Sequence, residues 1–391
     1  MKNEKLKLFL FRFILLIIVF TAFEVVGYLG MYFSSPSFDF LSNNNYFSIR
    51  AMLTGNKNSE FFPRYLTVPY LGYIPYPQYM KFGVEQHNNG GYRGKKVPLQ
   101  RTNKLRILCL GGSTTYGSGV YLPSETYPAQ LEILLNNYIN SDTTLKKKYN
   151  GFEVLNAGLE AGNSADELTQ YLFKYRFYKP DMVIVHSGIN DALLVSHADS
   201  NFQLDYSHFR RINFHLEPLR EPGAWLLKSY FISFLSIRLF YTDFANNTGG
   251  FQNEVSSTIS NWTTMCIDSV IANKQYEYYP FYRNTQSLFN EITKDSSLLI
   301  VLPPVTNNNS DFVNLNKNYR ELTILNNVLS KSLCDKSGGI FVHFEYDSIK
   351  DPLDWIDDCH LNANGEKNKA MILLPHCIKI LKQNSSNKET Q

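Results

Sequence analysis

Cysteine is scarce and unpaired in this chain. Its five residues, Cys109, Cys266, Cys334, Cys359 and Cys377, are odd in number and include no CxxC spacing, which argues against a zinc site. Outside the cytoplasm one disulfide is open to such a chain, but the spacing does not name it. Also missing are an internal repeat and a concentrated basic face: 38 Lys and Arg against 35 Asp and Glu leave a net charge of +3, so nucleic acid is a poor candidate partner. Charge as a whole is sparse at 19%, against 44% hydrophobic residues, a balance that excludes general disorder and allows a sizeable core. The 391 residues suit one large domain with insertions, or two smaller ones. Aromatics are plentiful, with 26 Tyr and 28 Phe, which fits deep apolar packing or contacts with sugar or lipid and does not choose among them.

One long apolar run stands at the amino terminus. Residues 13–33 contain a single charge, Glu24, and a helix of that length covers roughly 30 Å, the thickness of a bilayer core. Lys2, Lys5, Lys7 and Arg12 precede it, whereas the following flank has only Asp39 and then Arg50. The positive-inside tendency then keeps the amino terminus in the cytoplasm and the bulk of the chain outside, with Tyr28 and Tyr32 at the outer interface. A cleaved signal peptide is the rival reading, but its apolar part is usually shorter and ends in small residues, whereas this run ends in Gly-Met-Tyr-Phe. Glu24 is costly in lipid and is read as lying near the outer boundary, with no function assigned.

The expected organisation has a cytoplasmic tip and anchor over 1–34, a juxtamembrane linker with lead-in strands over 35–103, a main domain over 104–382 and a disordered tail over 383–391. Within the main domain, apolar runs at 105–110, 152–155, 182–185, 298–302 and 340–344 read as buried strands. Helical patterns lie between and after them, at 127–139, 166–178, 313–333 and 365–382. Buried strands separated by helices predict a parallel sheet covered on both faces, a three-layer α/β/α sandwich, with function beyond the carboxyl ends of the strands. About 105 residues, 192–296, interrupt this rhythm. Their segment 225–241 is dense in large apolar side chains. It reads as an inserted helical subdomain with its own core or, less favoured, as a lid or wall over the site that touches the membrane.

The strand ends carry the chemistry. The first opens into Gly111-Gly112-Ser113-Thr114-Thr115-Tyr116-Gly117, where glycines allow close approach to a serine at the tip of a buried strand. The same pattern alone also fits a turn and helix cap. The third opens into Gly188-Ile189-Asn190-Asp191, where the Asn190 amide could donate to a developing oxyanion together with backbone N–H groups from the first two loops. Near the end, Asp357-Asp358-Cys359-His360 supplies an imidazole to take the Ser113 proton and, three residues before it, a carboxylate to fix its tautomer.

Together these residues resemble the sequence blocks of the GDSL/SGNH hydrolase family. Gly-Gly-Ser113-Thr stands where Gly-Asp-Ser is usual, Gly188–Asp191 matches the Gly-x-Asn-Asp block, and Asp357-x-x-His360 matches the final block, with Asn362 and Gly365 in its continuation. Upstream, Asn88-Asn89-Gly90-Gly91-Tyr92-Arg93-Gly94 is similar to the lead-in of bacterial membrane-anchored members. The resemblance covers about residues 104 to 382 apart from the insertion and implies a flavodoxin-like SGNH fold. In the second block the usual oxyanion glycine falls on Ala161, with Gly162 next to it, and either could donate its N–H. The implied activity is ester hydrolysis through a Ser113 acyl-enzyme, with His360 as base, Asp357 orienting it, and no metal or cofactor required. Asp358 and Asp191 are expected to be structural. The implied substrate is an ester on an envelope carbohydrate or a lipid. An O-acyltransferase using the same acyl-enzyme, and a catalytically silent scaffold or glycan-binding module, are the alternatives.

Overall fold

The computed structural model describes residues 2–35, 45–56, 62–68, 70–142, 146, 149–196, 206, 224–240, 279–349 and 351–389. Five strands form one parallel sheet: β1 (Leu105–Gly111), β2 (Phe152–Gly158), β3 (Met182–His186), β4 (Leu298–Val301) and β5 (Ile340–Phe341), in the order β2-β1-β3-β4-β5. That is the doubly wound order of flavodoxin-like sheets, in which the crevice lies where the winding reverses, at β1 and β3. In chain order the helices are α1 (Lys2–Ser34), α2 (Tyr46–Thr54), α3 (Ser113–Tyr116), α4 (Tyr127–Ser141), α5 (Ser164–Phe173), α6 (Ile189–Ser196), α7 (Tyr230–Phe240), α8 (Pro280–Lys294), α9 (Asp311–Leu315), α10 (Lys317–Lys336) and α11 (Ala363–Glu389).

Alternation along the strands builds two cores. Ile107, Cys109, Val154, Ile184 and Ile300 face α4 and α11, where Leu131, Leu135, Leu373 and Cys377 are fully buried. Leu108, Leu110, Leu155, Val183, Val185 and Val301 face the other way, against α5, α6, α8 and α10. Both sheet faces are covered, so every residue of β1, β2 and β3 is buried, as near-continuous apolar runs require. The expected three-layer α/β/α sandwich is the observed one.

Local chemistry sets the helix limits. α5 begins in a capping box: Asn163 Oδ1 accepts from Ala165 N–H at 3.0 Å while Asp166 Oδ2 accepts from Asn163 N–H at 2.9 Å. It ends at Phe173 and passes into a 3₁₀ turn over Tyr175–Tyr178, where a single helix to 178 was expected. The helix expected over 313–333 is two, because Asn316 turns its amide back onto the Phe312 carbonyl at 2.8 Å and leaves helical geometry between α9 and α10. The last helix is longer than expected and runs to Glu389, through residues read from the sequence as a disordered tail.

The chain divides into two compact units. The larger, Tyr70–Gln78, Val84–Arg210 and Gly250–Gln391, holds the sheet and both cores. Its residues 84–103 are packed with it: Tyr92 and Val97 belong to the core on the α5 face. The smaller comprises Met1–Pro69, Tyr79–Gly83 and Arg211–Gly249, so the described part of the apolar segment 225–241 packs with α1 and α2. Within it the apolar face of α7 is covered by α1. Most of the expected insertion, 197–205, 207–223 and 241–278, lies outside the described residues, as does Cys266; the four described cysteines are free.

At the amino end of the sheet, Arg106 is fully buried and donates through Nε to Glu153 Oε1 at 2.7 Å and through Nη2 to the Pro98 carbonyl at 2.8 Å. Glu153→Ala strips the buried guanidinium of its counter-charge. It is expected to cost about 3–5 kcal/mol, read as a lowered urea midpoint of the full chain.

Candidate active site

The register of the sheet brings the loops together. Gly111, the last residue of β1, pairs with Gly158 on one side and His186 on the other, so three strands end level. The chain after β1 turns at Gly112 into α3, which presents a partly exposed Ser113 at its first position. Gly112 cannot carry a side chain without strain elsewhere: a Cβ there would lie 2.8 Å from Asn190 Nδ2 and 3.0 Å from the Gly162 carbonyl oxygen. The backbone of the first loop therefore abuts the second and third.

His360 arrives from the other end of the chain on a pinched loop. Trp355 and Leu361 form an antiparallel bridge, and Ile356 N–H donates to the His360 carbonyl at 2.9 Å. Inside this loop Asp357 Oδ1 accepts from the N–H groups of Cys359 and His360 at 2.9 and 2.8 Å. Its other oxygen, Oδ2, lies 2.7 Å from His360 Nδ1, and His360 Nε2 lies 2.8 Å from Ser113 Oγ. With Nδ1 protonated, the ring donates to Asp357 and accepts from the Ser113 hydroxyl. Burial would lower the affinity of His360 for a proton, but the hydrogen bond and charge of Asp357, with the charge of Asp358 behind them, outweigh it and hold the imidazole above its ordinary value. Burial likewise pushes the Asp357 carboxyl up, and the His360 ring and the two backbone N–H groups more than reverse it, to about 2.

The neighbouring carboxylates face elsewhere. Asp358 Oδ2 accepts from Tyr319 O–H at 3.1 Å, and its carbonyl accepts from Asn307 N–H at 2.8 Å. Asp191 is fully buried and accepts from Ser164 N–H at 3.1 Å and Ser164 O–H at 2.5 Å, tying α5 to α6. Burial raises its carboxyl to about 6, against the opposing pull of the Ser164 bonds.

Asn190 lies beside Gly112, the residue before Ser113. Its Nδ2 donates to the Gly162 carbonyl at 2.7 Å, and a carboxamide has a second N–H to offer. In the second loop, Gly162 N–H donates to the Leu159 carbonyl at 2.8 Å and so closes the turn. That donor, one of the two candidates in the sequence, is already committed. Ala161 holds φ at +56°, in the left-handed region where a glycine would be unstrained.

Several positioning residues escape a reading of sequence blocks. Lys369 and Glu366, side chains 2% and 1% exposed, form an ion pair at 2.8 Å beneath the site. Lys369 Nζ donates to the Thr114 carbonyl at 3.0 Å, and Glu366 Oε2 accepts from Tyr127 N–H at 2.7 Å. Arg93, also buried, donates to the carbonyls of Gly117 at 3.1 Å and Val120 at 2.8 Å, with its guanidinium 4.4 Å over the Tyr116 ring. The only hint in the sequence is the i,i+3 acid–base pair Glu366/Lys369 on an otherwise apolar helix face. Among the described residues, metal-ligand side chains gather in one group, Asp357, Cys359 and His360. Two of these are already bonded to each other, and burial, with the nearby Asp358 and Asp357 charges, pushes the Cys359 thiol well up.

No family model matches the chain, and no curated protein matches it in sequence. Among solved structures it is similar to a catalytic mutant of an acetylxylan esterase from Geobacillus stearothermophilus, at 16% identity over 70% of this chain and 93% of that one, with a TM-score of 0.39. It is also similar to an alpha/beta hydrolase from the metagenome of Lake Arreo, Spain, at 13% identity over 70% and 94%, TM-score 0.37. TesA aligns at 12% identity over 69% and 97%, TM-score 0.38. At these identities and TM-scores the likeness bears on neither substrate nor activity.

The geometry of the His360 ring gives a direct expectation. An NMR titration of its ring should show a midpoint above the ordinary value of about 6.5. Asp357→Asn removes the charge that outweighs burial, so the midpoint should fall; an unchanged midpoint would mean that the Asp357 carboxylate does not hold the imidazolium.

Proposed function

We propose that this chain is a membrane-anchored serine esterase of the SGNH type. The observation that carries the proposal is the relay from Asp357 Oδ2 to the His360 ring at 2.7 Å and from that ring to Ser113 Oγ at 2.8 Å, the second contact joining residues 247 positions apart in the chain. A serine hydroxyl is a weak nucleophile alone and is activated by such a base. His360 Nε2 takes the Ser113 proton as Oγ attacks the ester carbonyl carbon. Asp357 stabilises the imidazolium. Negative charge develops on the carbonyl oxygen, where Ser113 N–H, Ala161 N–H and the second Asn190 amide N–H serve as donors, Gly162 N–H being spent on Leu159. Collapse expels the alcohol, which leaves with the proton held by His360. Water then attacks the acyl-enzyme with His360 again as base, and the acid departs.

The substrate we favour is an O-acyl or O-acetyl ester on an envelope carbohydrate. A cleft of about 500 Å³ is lined in part by Asn308, Asn327, His343 and Tyr346, which can hydrogen-bond or stack with a sugar. Asn308 follows Asn307, whose side-chain amide donates to the Asp357 carbonyl at 3.1 Å, so the cleft lies beside the loop that carries His360. The apolar helix α1 would span the membrane with its basic amino end in the cytoplasm and the sheet-bearing unit outside.

A fluorophosphonate probe should label the wild-type chain and not Ser113→Ala; a folded wild type that stays unlabelled would favour a silent scaffold. With an aryl acetate, Asp357→Ala should lose at least about tenfold in kcat/KM, whereas Asp358→Ala, whose carboxylate faces Tyr319, should retain most of it. The reverse ranking would mean that the wrong carboxylate has been assigned. Product analysis with and without a glycan acceptor separates hydrolysis from acyl transfer.

A further inference from the structure

The smaller unit carries its own message about where the chain meets lipid. α1 has 33 residues and is about 50 Å long, well beyond a bilayer core of about 30 Å. Its residues 4–23 are all exposed, and 20 residues of helix cover about 30 Å. Beyond them one face of the helix is covered, with Gly27 and Met31 buried. Glu24 Oε2 accepts from Tyr230 N–H at 2.8 Å and Oε1 accepts from Ser229 O–H, so this acid caps the amino end of α7. Gly27 and Gly30 let α7 approach: a Cβ on Gly27 would fall 2.3 Å from the Phe231 backbone, and one on Gly30 would fall 2.8 Å from the Phe234 ring. Met31 is buried with Ile237, Tyr46 and Ile49. Contacts thus climb in step along both helices, which makes α1 and α7 parallel, with α2 closing the cluster.

Charge marks a level in this cluster. Arg50 donates to the Lys228 carbonyl and stacks 4.1 Å over the Tyr230 ring, so Glu24, Arg50 and Lys228 gather around the start of α7. Such a belt is too costly for a hydrocarbon core and suits its edge. Lys5, Lys7 and Arg12 lie in the other half of the bare stretch, where the backward tilt of helical side chains lets their stems reach the inner headgroups. Just before α7, on the 3₁₀ turn Ala224–Lys228, Trp225 is 70% exposed and Leu226 41% exposed. An exposed tryptophan beside a basic residue is the composition of a membrane-interface anchor.

We propose that the segment 224–240 is a membrane-interface collar on the anchor: the outer face of the bilayer meets α1 at the level of Glu24 to Tyr28, and Trp225 and Leu226 insert among the lipid headgroups. The sequence alone spreads that boundary from Glu24 to Tyr32, because it does not show that one face of the last third of α1 is covered by α7. The proposal rests on the reading that α1 crosses the membrane, and it adds a second lipid contact from a segment about 200 residues later in the chain.

The test uses the full chain reconstituted in phosphatidylcholine vesicles in which part of the lipid carries bromine at shallow or deep acyl positions. Tryptophan emission is compared between wild type and Trp225→Phe, and the difference isolates Trp225. The expected result is quenching of that difference signal, stronger with shallow bromines. Glu24→Leu should weaken it, because α7 loses its cap. A protein that floats with the vesicles while its Trp225 signal is unquenched would overturn the collar, leave the anchor standing and point to a protein partner for the patch. A protein that fails to float would overturn the spanning reading itself.

Discussion

The level ending of three parallel strands is the constraint on which this molecule depends. β1 pairs with β2 and β3 so that Gly111, Gly158 and His186 share one line, and each following loop starts from that line. The loops carrying Ser113, Gly162 and Asn190 meet because of this register. A slip by one residue would turn each alternating side chain to the opposite core, so the packing of Leu108 and Leu110 against one helical layer and of Ile107 and Cys109 against the other fixes the position of the serine. The specificity of the site is thus a by-product of apolar burial deep in the sheet.

His360 has no strand to place it, and a buried ion pair takes over that task. The Lys369–Glu366 pair joins α11, just beyond the His360 loop, to the Thr114 carbonyl of the serine turn and the Tyr127 N–H of α4. A buried pair of this kind is seldom a net gain over well-packed apolar side chains, yet a structure that leaves either charge unmatched is heavily penalised. Its value lies in exclusion: arrangements with α11 displaced from the serine turn leave Lys369 and Glu366 without their partners. Arg93 does similar work on the far side of α3 through the Gly117 and Val120 carbonyls.

Much of the sheet was legible in the sequence because fully buried strands must be apolar on both faces, and each of the five runs became a strand. Ser113, Asn190, Asp357 and His360 were legible as candidates because loops after strands carried polar residues with matching chemistry; their roles rest on the geometry and chemistry argued above. What stayed hidden depends on distant partners. Periodicity says that the apolar side chains of α7 are covered, but not that α1 covers them. It cannot tell that Glu366 and Lys369 point inward, since an acid and a base three residues apart are more often a solvated pair. Nor does it disclose that Asn316 turns its amide back onto Phe312 and divides a helix, or that Gly162 spends its N–H within its own turn.

The cap on α7 has a consequence in time. Glu24 and Ser229 are 205 residues apart, and at about 5–20 residues per second the ribosome needs roughly 10–40 s to make the second after the first. For that interval α1 carries a carboxyl group with no partner from α7. If α1 crosses the membrane as proposed, water or headgroups would satisfy this carboxylate in the meantime, which favours the bilayer edge over the hydrocarbon for this part of α1. On the proposed reading the nascent helix would be positioned by an acid whose final ligand does not yet exist, and docking of α7 would later lock in a depth already chosen.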